Sequence, residues 1–203
     1  MKIEKKYSHL NAEEYLMVHK PELYQEIIDS ILAVDAEKCK TKVSKEKDKF
    51  NSLLYSPGDI NKEFERVLSQ KGWESVRRNF YVSDNYAIVK TIEPMAYEDQ
   101  KEYLTVHNQP LFSSYNQTDF VKKRVAIEVQ LGKYFSVTYD LFVKHLSFYN
   151  GDLIDVGVEI VPSKALQIEM SSGVPFYEKE VHNVLRHGRN TPAVPILIIG
   201  VSP

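Results

Sequence analysis

Apolar residues recur at helical spacing over residues 22–34, where Leu23, Ile27, Ile28, Ile31 and Leu32 share one side. Pro21 precedes them and fits a helix start, since the N–H it lacks is one a helix leaves unpaired at that end. A second helix is predicted over 61–70, with Asn61 as its cap, Phe64, Val67 and Leu68 inward and Gly72 as its stop. Residues 79–82 read as a short strand. Pro94 and Pro110 interrupt the ambiguous stretch 84–112, in which 98–106 has the makings of a short helix. Strands at 118–121 and 125–131 flank a basic turn, Lys122-Lys123-Arg124. Helical spacing returns over 137–149, with Leu141, Phe142, His145, Leu146 and Tyr149 on one side. Residues 154–161 alternate as a strand, with Ile154, Val156, Val158 and Ile160 on one face. Helices are predicted at 163–170 and 175–186, and Ser171-Ser172-Gly173 stops the first. The nearly unbroken apolar run 195–201 suits a strand covered on both faces. Helices alternating with central strands predict an α/β sandwich. No repeat or low-complexity linker divides the chain, so residues 1–203 read as a single domain.

One strand breaks its own pattern. In Val125-Ala126-Ile127-Glu128-Val129-Gln130 an acid and an amide interrupt a buried apolar run. Side chains alternate, so Ala126, Glu128 and Gln130 share one face while Val125, Ile127, Val129 and Leu131 share the other. A carboxylate buried among Val and Ile is costly unless something pairs with it. If 118–121 and 125–131 form a hairpin, Asp119 comes beside Glu128, and a divalent ion between the two relieves their repulsion. Mg²⁺ suits such a pair, because it needs only one or two protein carboxylates and takes its other ligands from water and phosphate. The spacing favours metal-assisted phosphodiester chemistry over nitrogen or sulfur ligation. The alternative reading is an ordinary ion pair of Glu128 with Lys133 or Arg124.

An acid followed some ten residues later by Glu-x-Gln on a strand resembles the PD-(D/E)xK nuclease core, with Gln130 where that core usually has Lys. More closely, the chain resembles the BglII/BstYI group of type II restriction endonucleases. The resemblance is carried by Ser-Tyr-Asn-Gln-Thr-Asp-Phe-Val-Lys (114–122), Arg-Val-Ala-Ile-Glu-Val-Gln (124–130) and Tyr-Asp-Leu-Phe-Val-Lys-His (139–145). It continues in Ile-Asp-Val-Gly-Val-Glu-Ile (154–160), Glu-Met-Ser-Ser-Gly (169–173), Tyr-Ser-His-Leu-Asn (7–11) and Ser-Lys-Glu-Lys (44–47), and is weakest around 84–112. It implies a central mixed β-sheet flanked by helices, with the catalytic strands at its centre. It also implies a Mg²⁺-dependent homodimer that cuts double-stranded DNA at a palindrome with central GATC, leaving 5′ overhangs. Asp119 and Glu128 would hold the metal, with the Val129 carbonyl as a further ligand. Gln130 cannot supply the charge of a lysine, but it can orient the attacking water or a phosphate oxygen. Asn116 is a candidate for positioning nearby backbone or water. A nuclease of DNA repair or junction resolution, or a catalytically silent DNA-binding protein, are the competing readings.

Composition narrows the rest. The formal net charge of −2 is no general affinity for nucleic acid, but the basic residues are grouped. Lys38, Lys40, Lys42, Lys45, Lys47 and Lys49 crowd one segment, Lys122, Lys123 and Arg124 a second, and Arg186, His187 and Arg189 a third. The first group reads equally as a solvated face, since Glu46 and Asp48 intersperse it. Lys133 reaches either a base edge, a phosphate or solvent. Ser171 and Ser172 form either a small loop able to approach a DNA groove or a plain helix end. Arg186 and Arg189 offer phosphate contact or ordinary charge placement at a helix C-terminus. Asp155 and Glu159 are a weaker second acid pair. The single Cys39 excludes an intrachain disulfide, and six histidines without metal spacing argue against zinc. No glycine-rich phosphate loop supports a nucleotide cofactor. The absence of a signal-like start or a membrane-length apolar run predicts a cytoplasmic protein.

Overall fold

A computed structural model describes residues 1–203. Strand β1 (Lys2–His9) leads into helices α1 (Ala12–His19) and α2 (Pro21–Ala33). A small hairpin of β2 (Lys42–Val43) and β3 (Leu53–Leu54) precedes α3 (Pro57–Gln70). Strand β4 (Glu74–Val82), helices α4 (Tyr86–Ile92) and α5 (Tyr97–Val106) and the long strand β5 (Phe112–Lys122) follow. After β6 (Val125–Val129) comes a continuous helical stretch, α6 (Tyr134–Tyr139), a π-helical turn (Asp140–Lys144) and α7 (His145–Asn150). Then come β7 (Val156–Pro162), α8 (Lys164–Ile168), α9 (Tyr177–Arg186) and β8 (Ile196–Ser202).

Six strands form one mixed sheet in the order β1-β8-β7-β6-β5-β4. The pairs β6–β7 and β7–β8 are parallel, and the remaining three are antiparallel. Parallel neighbours need crossovers, and here helices supply them and cover the sheet. Every residue of β6, β7 and β8 is accordingly buried. On one face Leu16, Ile27 and Phe64 of α1–α3 pack with Ile127, Val158 and Leu197. On the other, Val137, Leu141, Tyr177 and Val184 meet Val161, Ile196 and Ile198. This is the expected α/β architecture. No helix is long and apolar enough to cross a membrane.

Several elements differ from the sequence expectation. Helix α3 begins at Pro57, and its cap is Ser56, whose hydroxyl accepts from the Asp59 N–H at 3.3 Å, so Asn61 lies inside the helix. The ambiguous stretch holds two helices, α4 and α5, with Asn85 capping the first. Strand β4 runs longer than residues 79–82. Strand β1 and helix α1 were not predicted. β1 is an edge strand rich in Lys and Glu, so its sequence carries little apolar alternation.

Candidate active site

The basic turn between β5 and β6 needs a left-handed backbone at Lys123 (φ 45°) and Arg124 (φ 68°), the geometry a two-residue hairpin demands. Tertiary contacts hold it there. Lys122 Nζ donates to both Glu26 oxygens at 2.8–2.9 Å and to the Lys71 carbonyl at 2.7 Å. Arg124 binds Asp155 at 2.8 Å and Asp152 at 2.7 Å. Two of the three cations of this group are thus structural anchors. Arg124 is also not the partner of Glu128, and Asp155 is taken by Arg124 and sits before β7, away from any pairing with Glu159.

The pairing of β4 with β5 slips where Asp119 sits. Glu74 faces Val121 but Val76 faces Thr118, so β5 carries one extra residue between these points. Such a bulge re-aims side chains. Phe120, opposite Ile127, enters the core beneath α2 and α3. Thr118 turns to the other face, where its hydroxyl donates to Glu128 Oε1. Asp119 is released to the surface and lines a cavity of about 280 Å³ with Asn61, Glu65, Ser75, Gln117, Phe120 and Val129. Its N–H donates to Glu128 Oε1 at 3.4 Å, so the two acids meet as the hairpin reading expects. Glu128 itself is 0 % exposed and is not among the lining residues.

Glu128 and Glu159 stand side by side on β6 and β7, and the α6–α7 stretch covers them. Lys144 Nζ lies 2.9 Å from Glu128 Oε2 and 2.6 Å from Asp140 Oδ1. The contact with Oε2 lacks hydrogen-bond alignment, which leaves that buried oxygen with unused acceptor capacity. His145 Nε2 is 3.3 Å from Glu159 Oε2, and both residues are buried. Burial, then Asp119, pushes the Glu128 carboxyl up to about 8 against the pull of Lys144. Burial also raises Asp140 and Glu159, and it lowers His145 to about 3, with Lys144 adding to the effect. Burial of Lys144 works against its charge, but Glu128 and Asp140 outweigh it and hold it a cation.

The side chains that meet here offer oxygen donors, the carboxylates of Asp119 and Glu128, and Val129 lines the same cavity as Asp119. That set fits a hard cation and not zinc. No group of three or more His, Cys, Asp or Glu forms a closed metal cage. Gln130 shares the Glu128 face, and its amide favours the charged form of Asp140. Asn116 is buried, with Oδ1 accepting from the Tyr139 hydroxyl at 2.6 Å.

Lys133, Ser171 and Ser172 come together, because the Tyr134 N–H donates to the Gly173 carbonyl at 2.8 Å. The lysine-rich segment joins them: the Ser172 N–H donates to Glu46 at 2.6 Å and Lys49 Nζ to the Met170 carbonyl at 2.9 Å. Arg186 and Arg189 are exposed at the far end of α9, where His187 packs on Phe142, and so lie apart from this cluster. Sequence reasoning missed Asp140 and Lys144. Their spacing of four within a predicted helix was the available signal.

A family model described as restriction endonuclease BglII/BglIII matches residues 5–201. Among solved structures, restriction endonuclease BglII complexed with a DNA 16-mer is similar, with a TM-score of 0.67 and 19% identity over 100% of this chain and 79% of that one. Free BglII is similar with a TM-score of 0.60 and 18% identity, over 100% and 80% of the two chains. Comparison with curated proteins gives no match.

Proposed function

This chain belongs to the BglII/BglIII restriction endonuclease family, and within it we propose a Mg²⁺-dependent enzyme that cuts double-stranded DNA at a palindrome with central GATC, leaving 5′ overhangs. The observation that carries the reading is the meeting of Asp119 and Glu128 at a strand bulge, beside a cavity that Asp119 lines with Asn61, Glu65, Ser75 and Gln117. Residues 1–203 act as one nuclease domain, and two copies form a homodimer whose two-fold axis matches the palindrome.

Asp119 and Glu128 would hold the metal, with the Val129 carbonyl as a further ligand. A bound Mg²⁺ supplies charge to the scissile phosphate and lowers the pKa of a bound water. Asp119 faces the cavity and would orient the ion, while Thr118 and the Asp119 N–H fix one Glu128 oxygen. Gln130 hydrogen-bonds the attacking water or a phosphate oxygen and brings no charge. Lys133, Ser171 and Ser172 form the DNA-facing cluster, and Arg186 and Arg189 contact phosphates further out.

Digestion of a sequenced plasmid in Mg²⁺ and in EDTA, with the cut ends mapped, tests activity, metal need, site and overhang together. Cutting confined to GATC-centred sites and abolished by EDTA is expected. Asp119→Asn or Glu128→Gln is expected to abolish cutting while DNA binding persists, and near-wild-type cleavage by either variant overturns the site assignment.

A further inference from the structure

The buried side of the site is crowded with acid. Glu128, Asp140 and Glu159 act on one another electrostatically, and all three feel the same base, Lys144. The position of that base is built into the helix. At residues 140–144 the chain forms a π-helical turn, closed by the His145 N–H donating to the Asp140 carbonyl. The wider turn brings Asp140, Leu141 and His145 to the sheet together, and π-turns of this kind recur at functional sites. Lys144 is left 12% exposed, in contact with both Glu128 and Asp140. Gln130, two residues beyond Glu128 on the same face, is neutral.

We propose that Lys144 is a positioning residue for the cleavage site: shared between Glu128 and Asp140, its ammonium fixes the Glu128 carboxylate with Oε1 toward Asp119 and supplies the positive charge that the Gln130 amide lacks. The proposal rests on the nuclease reading above. Partners that orient a metal-holding carboxylate typically change metal affinity or activity by about 10–100-fold.

The test measures Mn²⁺ binding to the DNA-free protein by isothermal titration calorimetry, together with kcat and KM for plasmid cleavage. It compares the wild type, Lys144→Met, Lys144→Arg and Lys144→Met combined with Gln130→Lys. Lys144→Met is expected to bind Mn²⁺ roughly tenfold more weakly and to lose about a hundredfold in kcat, with KM little changed. The added Gln130→Lys is expected to restore about a tenfold share of the lost kcat by returning a cation to the same face. Should Lys144→Met fail to fold, Lys144→Gln takes its place in both the single and the combined variant. Unchanged Mn²⁺ affinity and kcat overturn the proposal. A loss that neither Lys144→Arg nor Gln130→Lys relieves also overturns it, in favour of a purely structural lysine. A wild type that cuts no DNA, with Mn²⁺ affinities that still separate the variants, overturns the nuclease reading and upholds the positioning role.

Discussion

A single added methyl group at Gly157 is enough to disturb the buried side of the site. A Cβ there would lie 2.6 Å from His145 Nδ1 and 2.8 Å from Cγ and Cε1. The ring has no room to retreat, because His145 is buried and bonded to Glu159. Gly157→Ala is therefore expected to cost about 1–3 kcal/mol, the usual range for overpacking, read as a lower urea midpoint. A wild-type midpoint in that variant would show that the ring is mobile. The same histidine gives stability a pH dependence. Burial holds its folded pKa at about 3, below its ordinary value of 6.5. Between these values the unfolded chain binds a proton that the folded chain refuses. His145 thus favours the fold fully above 6.5 and loses that contribution as pH falls toward 3, with a slope of up to about 1.4 kcal/mol per pH unit. Glu159, which faces it, belongs to the same cluster of raised acids while Lys144 stays charged, so the histidine part is isolated by comparison with His145→Asn. From pH 7 to 5.5 the wild type is expected to lose more stability than the variant. Parallel losses would mean that the folded protein accepts the proton.

Among the elements, those with strong periodicity were legible in the sequence and those specified by tertiary contacts were not. Helices α2 and α9 and strand β8 stand close to their predicted places, because each presents one apolar face or a wholly apolar run to the core. The hairpin that brings Asp119 to Glu128 was readable from strand alternation. The bulge in β5 was not, because an extra residue leaves no mark in a sequence whose pairing partner is unknown. The π-turn was missed for a similar reason, since Asp140 and Lys144 keep ordinary helical spacing. The turn at residues 122–124 looked like a basic patch, yet two of its three charges, Lys122 and Arg124, serve the fold. Lys122 ties the hairpin to α2 through Glu26, which also accepts from Trp73 Nε1 at 3.0 Å. Lys122→Ala is expected to lower stability by about 1 kcal/mol, as the loss of charge-assisted hydrogen bonds at a half-buried site, and to leave DNA affinity unchanged. Weaker DNA binding at unchanged stability would return this lysine to the DNA face.

For the molecule as a whole, a net charge of −2 means that attraction to a DNA duplex has to come from where the cations stand. The fold concentrates them. Lys42, Lys45 and Lys47 are exposed on the segment that Glu46 and Lys49 fasten to the loop of Ser171 and Ser172, and exposed Lys133 adjoins the same loop. On the proposed reading, a basic rim around a small hydroxyl-bearing loop would divide the work of recognition, with the lysines at phosphates and the loop at base edges. Each phosphate neutralised contributes roughly 0.9 to the slope of log affinity against log salt. Replacing Lys42, Lys45 and Lys47 with Gln is thus expected to weaken binding across all DNA sequences and to flatten that slope by up to about 3. Ser172→Ala is expected to leave the slope unchanged and to alter the ratio of affinities for a GATC-centred duplex and a scrambled one. Both are read by titrating labelled duplexes in EDTA at several salt concentrations, where binding proceeds without cutting. An unchanged slope in the triple variant would mark this segment as a solvated face and move the phosphate contacts elsewhere, with Arg186 and Arg189 next in line.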